Sequence, residues 1–66
     1  MDNIVEQRYY GLTEQIDFYA WLHRDTGMLS NDQRQHLAEL ENTICVFGER
    51  ARKWVDLVNE LLNDKV

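Results

Sequence analysis

The sequence predicts an all-α fold, an antiparallel helical hairpin of two long helices at about residues 3–24 and 31–63. Three observations indicate it. The 66 residues include no proline and only three glycines, so few residues interrupt a helix. Apolar residues recur at spacings of three and four in both segments. One turn signal, at residues 25–30, separates the two segments. The chain is short enough to be a single domain, residues 1–66.

The first predicted helix carries a regular apolar face. Gly11 lies beside this face, and Thr13 could begin a fresh helix as an N-cap. The pattern predicts a helix from about Asn3 to Arg24, with a start at Thr13 as the alternative. The face is formed by residues at spacings of four and three: Val5, Tyr9, Leu12, Ile16, Tyr19 and His23.

The turn between the helices is the clearest boundary in the sequence. Gly27 can adopt the left-handed conformation that ends a helix. Ser30 can cap the next helix, and Gln33 three residues later completes a capping box. Because the connection is short, the two helices are predicted to be antiparallel neighbours.

The second predicted helix has the strongest periodic signal. Its apolar residues continue through Gly48 without a change of phase, which favours one continuous helix over 31–63. A glycine inside a helix costs about 1 kcal/mol relative to alanine, which a long helix tolerates. The alternative is a helix that ends at Gly48 and a three-helix bundle. Eight residues form the pattern, at spacings of three and four: Leu37, Leu40, Ile44, Phe47, Ala51, Trp54, Val58 and Leu61.

The unequal lengths of the two helices predict a homodimer. At 1.5 Å per residue, about 22 residues span ~33 Å and about 33 residues span ~50 Å, so the first helix ends opposite residues 52–54. Each large apolar side chain left in water beyond that point forfeits roughly 1.5–3 kcal/mol. A second copy is expected to cover them in a homodimeric four-helix bundle. The predicted oligomer interface comprises Trp54, Val55, Leu57, Val58, Leu61 and Leu62.

Three aromatic residues form the candidate partner surface. Tyr10, Phe18 and Trp21 lie off the apolar face of the first helix. A helix that is apolar on two faces is normally covered on both, and aromatic residues are enriched at binding hot spots. The row is therefore predicted to contact another protein wherever the dimer leaves it free.

The charge balance excludes several classes of partner. Twelve acidic and seven basic residues give a net charge of −5, which disfavours direct binding to nucleic acid or to an anionic membrane. Acidic residues spread along a rod could imitate a nucleic-acid strand, although a solvated surface is the simpler interpretation.

No apolar run approaches the ~20 residues of a transmembrane helix. One cysteine and no recognisable signal sequence predict a cytoplasmic location.

The only basic cluster is the alternative candidate site. Arg50, Arg52 and Lys53 could hold a small anion or a nucleotide at a subunit interface. The simpler interpretation is ion pairing with acidic neighbours such as Glu6.

No pattern in the sequence predicts catalysis or metal binding. Cys45 is nine residues from His36, or about 13 Å along a helix, too far for a base to activate the thiol. His23 and His36 match no zinc-ligand spacing. The predicted function is therefore that of a small, acidic, non-enzymatic protein without cofactors, which binds another protein as a regulator or inhibitor. Such chains are typical of phage and mobile-element products. The alternative is a regulator that binds a small anion or nucleotide.

Overall fold

The computed structural model describes residues 2–63, and it describes side chains for residues 4–63. The helices are α1 (Asp2–Thr26), α2 (Asn31–Ile44) and α3 (Arg52–Asn63), and a 3₁₀ segment, Cys45–Ala51, connects the last two. Within residues 2–63 no strand occurs, so the all-α prediction is confirmed. The hairpin-like packing of α1 against the rest of the chain is confirmed as well.

The turn after α1 has the predicted chemistry. Gly27 has a φ of 87°, and its N–H donates to the carbonyl of His23 at 2.7 Å, which closes the helix. The Gln33 N–H donates to Ser30 Oγ at 3.2 Å, and the Ser30 N–H donates to Gln33 Oε1 at 2.8 Å. Both halves of the capping box are therefore present.

Helix α1 runs through Gly11 without interruption. Thr13 does not act as an N-cap. Its side chain is buried, and its hydroxyl donates to the carbonyl of Tyr10 at 2.9 Å. The single helix predicted at about 3–24 is therefore confirmed, and the alternative start at Thr13 is not used.

The second predicted helix is broken at Gly48. This residue has φ 78° and ψ −144°, which lies far from helical values. A continuous helix over 31–63 would be about 50 Å long, whereas the longest dimension of the molecule is 42 Å. The Arg34 side chain, near the start of α2, donates to the carbonyl of Leu62, so α3 runs back along α2. The prediction of one continuous helix is wrong, and the chain instead forms three packed helices.

All three helices contribute to one core. Its largest fully buried side chains come from α1 (Ile16), α2 (Leu37 and Ile44) and α3 (Val58). The apolar residues on each side of Gly48 face this core because α3 returns along α2 and α1. The end of α3 is therefore covered within one chain, and the uncovered segment expected from the helix lengths does not exist.

Tyr9, a residue of α1, holds the 3₁₀ segment around Gly48 against its helix. Its hydroxyl donates to the carbonyl of Arg50 at 3.0 Å, and its ring centroid lies 5.1 Å from that of Phe47. The guanidinium carbon of Arg50 lies 4.2 Å from the centroid of the Tyr9 ring. These contacts fix Phe47 and Arg50, which lie on either side of Gly48. The chain reverses between them with a positive φ, which glycine adopts readily because it has no Cβ.

Candidate protein-interaction surface

The three predicted partner residues lie together on the solvent side of α1. Tyr10, Phe18 and Trp21 are 57%, 56% and 60% exposed. At about 100° per residue they fall within an arc of about 80°, and they span about 17 Å along the helix axis. Ile16, fully buried on the opposite side, anchors the helix to the core. We call these three residues the aromatic face.

Three acidic residues lie on the same side of α1, among the rings of the aromatic face. Glu14, Asp17 and Asp25 occupy the same side of α1, and all three are exposed. Within residues 4–63 none of these carboxylates forms an ion pair or a side-chain hydrogen bond. We call them the interleaved carboxylates. Arg24 adds one positive charge at the edge of the same surface.

Shallow depressions adjoin the rings of the aromatic face. One, of about 350 Å³, is lined by Gly11, Glu14 and Phe18 among others. Another, of about 300 Å³, is lined by Trp21, Arg24 and Asp25. A partner side chain could therefore lie beside a ring and reach a carboxylate at the same time.

A second apolar patch was not predicted. Ile4, Val5 and Val46 are 69%, 53% and 77% exposed, and they border a groove of about 450 Å³ that Arg8 also lines. The sequence pattern placed Val5 on the buried face, and this was wrong because the chain turns away at Gly48 instead of covering the start of α1. Periodicity alone gave no signal for this patch.

The predicted oligomer-interface residues divide into two groups. Val58 and Leu61 are buried in the chain's own core. The other four are half-buried and pack against that core, and they retain some area for a second copy: Trp54, Val55, Leu57 and Leu62. With α3 folded back, the helix lengths no longer require a partner, and the homodimer stays a prediction.

The basic cluster does not converge on one site. Arg50 donates to both carboxylate oxygens of Glu6, at 2.6 and 3.2 Å, as the simpler interpretation predicted. This hydrogen-bonded guanidinium lowers the pKa of Glu6, and the same pair raises the pKa of Arg50. Arg52 and Lys53 are exposed, and the Lys53 ammonium lies 5.7 Å from the ring centroid of Trp54. An anion site would therefore depend on Arg52 and Lys53.

The remaining reactive side chains have local partners. Cys45 is exposed, and its thiol donates to the carbonyl of Asn42 at 3.1 Å. His36 Nδ1 lies 2.6 Å from the hydroxyl of Tyr19. In the part of the chain that the structure describes, no three His, Cys, Asp or Glu side chains are placed to hold a metal ion. No helix there is both long and apolar enough to cross a membrane.

Comparison with known proteins gives no further guide to function. No protein-family model, no curated protein and no solved structure matches this chain. The surface chemistry described above is therefore the basis for a functional proposal.

Proposed function

We propose that this chain is a small non-enzymatic protein that binds another protein and regulates or inhibits it. The observation that supports this is the aromatic face, where three large rings are each more than half exposed on one side of α1. None of the three rings belongs to the buried core or to the side chains that pack against it. Aromatic side chains carry much of the binding energy at protein interaction sites, and here three of them share one side of a helix.

The dimensions of the molecule favour binding over catalysis. The bundle measures 42 × 17 × 17 Å, so only one layer of core side chains separates its helices. Enzymes need a concave site that excludes water and holds several polar groups together. The helices of a bundle this narrow use their inward faces for the core and leave little room for such a site.

Inhibition through occupation of a partner's surface requires only shape and charge. The net charge of −5 suits a basic partner surface, and a nucleic-acid-binding protein is one class of partner with such a surface. We include charge mimicry and a cytoplasmic location in the proposal. Self-association through the half-buried residues of α3 is also part of it.

Affinity capture with matched variants tests the proposal. The test variant changes the aromatic face to serine at Tyr10, Phe18 and Trp21. The control variant, Met28→Ser with Val46→Ser, removes exposed apolar groups elsewhere, at residues that are 66% and 77% exposed. Circular dichroism should show both variants folded. We expect the control to retain the protein captured by the native chain and the test variant to lose it. Equal capture by both variants would contradict the proposed surface.

The alternative function is binding of a small anion or nucleotide. Its support is the exposed Arg52 beside a depression of about 330 Å³ that Cys45, Gly48 and Glu49 also line. A ligand that binds only the folded chain raises its melting temperature by mass action. A thermal-shift screen of phosphates and nucleotides on the native chain and on Arg52→Gln would detect it. A shift that Arg52→Gln abolishes would support the alternative.

A further inference from the structure

Each ring of the aromatic face has a carboxylate one helical turn away. Asp17 lies four residues before Trp21, and Asp25 lies four residues after it. Glu14 lies four residues from each of the other two rings of the aromatic face. Residues four apart on a helix are neighbours on its surface. The surface therefore alternates flat π systems with negative charges.

A cationic side chain suits this alternation. The face of an aromatic ring attracts a guanidinium or ammonium group, and tryptophan attracts it most strongly. A planar guanidinium can stack on a ring while its N–H groups donate to a carboxylate. One arginine can therefore engage both kinds of group on this surface.

Helix α1 already binds one arginine of its own chain in this way. The Arg50 guanidinium carbon lies 4.2 Å from the Tyr9 ring centroid, and its nitrogens donate to the Glu6 carboxylate. Tyr9 and Glu6 are three residues apart on α1, so a ring and a carboxylate one turn apart suffice. The aromatic face repeats this combination on the solvent side with no cation bound from elsewhere in residues 4–63.

The charge of the surface argues against two other occupants, a second copy of this chain and a purely apolar partner. In a symmetric contact between two copies, the aromatic face would meet itself. The interleaved carboxylates would then face each other with only Arg24 from each copy to offset them, which is unfavourable at an interface. A purely apolar partner would remove the same carboxylates from water without giving them partners.

We infer that the aromatic face binds a cationic segment of its partner, with arginine or lysine side chains on the rings and paired with the interleaved carboxylates. This inference rests on the proposed function and names the chemistry of the partner. Arginine is favoured over lysine because it can stack and donate two parallel hydrogen bonds.

Two matched peptides test the inference on the whole chain. One is a helical peptide with arginine and leucine along one side, and the other replaces every arginine by citrulline, which is neutral and of similar shape. Binding is followed through the NMR signal of the Trp21 indole N–H. We expect the arginine peptide to bind at least about tenfold more tightly, and to weaken as salt rises from 0.05 to 0.15 M. Equal affinities for the two peptides would overturn the inference.

Charge-matched variants separate a local site from general attraction. Asp17→Asn with Asp25→Asn removes two interleaved carboxylates, and Glu39→Gln with Glu60→Gln removes two exposed carboxylates from α2 and α3. We expect the first pair to weaken arginine-peptide binding about fivefold or more and the second pair less than about twofold. Equal weakening would mean net charge alone attracts the peptide, and would overturn the site.

The two proposals fail differently. If the serine variant of the aromatic face still captures the native partner, the aromatic face is not the binding surface, and the inference about that face fails with it. If that variant loses the partner while Asp17→Asn with Asp25→Asn retains it at native affinity, the proposed function stands and the inference of a cationic partner is overturned.

Discussion

Replacing Gly48 by alanine tests the chain reversal. A continuous helix and a chain that reverses at Gly48 predict opposite signs for the resulting change in the free energy of unfolding. In a continuous helix, alanine in place of glycine would stabilise the chain by about 1 kcal/mol. In the structure Gly48 has φ 78° and ψ −144°, where L-residues are rarely found. A Cβ at this position would meet nothing within 4 Å, so the effect comes from the backbone alone. Such a conformation costs a non-glycine residue on the order of 1–3 kcal/mol, and we expect Gly48→Ala to lower the free energy of unfolding by that amount.

Two control variants are expected to change the free energy of unfolding in the opposite direction. Gly11 lies inside α1, and a Cβ there would also meet nothing within 4 Å, so Gly11→Ala should stabilise the chain by about 0.5–1 kcal/mol. D-alanine at position 48, introduced by chemical synthesis, has mirror-image preferences. For it, the Gly48 conformation is equivalent to the polyproline region of an L-residue. It should stabilise the chain by about 0.4–1 kcal/mol, because it restricts only the unfolded state.

Urea unfolding followed by circular dichroism measures all three variants. For a domain of this size, 1 kcal/mol corresponds to a shift in melting temperature of about 4–8 °C. If Gly48→Ala is stabilised as much as Gly11→Ala, position 48 is helical and the reversal of the chain there is refuted. Destabilisation by D-alanine would equally contradict the positive φ.

The core, the ion pair and the oligomeric state provide further predictions. Leu61→Asp should unfold the chain, since it places an unpaired charge in the core at a cost of several kcal/mol, whereas the exposed Asn63→Asp should not; a folded Leu61→Asp chain in circular dichroism would contradict this. Because Arg50 lowers the pKa of Glu6, their pair stabilises the fold above the unfolded-state pKa of about 4.3 and is lost as pH falls through the lower folded-state pKa. The melting temperature of the native chain should therefore exceed that of Glu6→Gln at pH 6, and the difference should shrink as the pH falls and Glu6 becomes protonated. A homodimer requires a melting temperature that rises with protein concentration, and a 7.9 kDa species in sedimentation equilibrium at micromolar concentration would refute it.

Local chemistry was enough to predict the elements but not their continuity. Ser30, Gln33 and Gly27 specify the first turn through their own hydrogen bonds and backbone preferences, so the sequence predicts it. The apolar spacing across Gly48 predicts which side of each segment is buried, and Ile44 and Val58 are indeed both fully buried. It does not distinguish one helix from two, because two helices that pack on one core both turn their apolar sides towards it. The contacts that fix the break, from Tyr9 to the 3₁₀ segment, join residues about forty positions apart.

The candidate site was predictable for a related reason. Tyr10, Phe18 and Trp21 depart from the apolar period of α1, and a single helix can direct only one side towards a core. Their exposure follows from local geometry and does not depend on how the chain continues after α2. The patch around Ile4 and Val46 does depend on it, because the direction of the chain at Gly48 decides what covers the start of α1.

The break at Gly48 also decides which surface this chain can offer to another protein. A continuous second helix would have left Val58 and Leu61 in water and would have made self-association the first use of the apolar surface. With α3 folded back, those side chains are in the core, and α2 and α3 support α1 from behind. The aromatic face then lies on a helix of 25 residues that packs on the chain's own core. A partner that binds a preformed helix avoids the entropic cost of ordering it, so even a surface of three rings and three carboxylates can bind specifically.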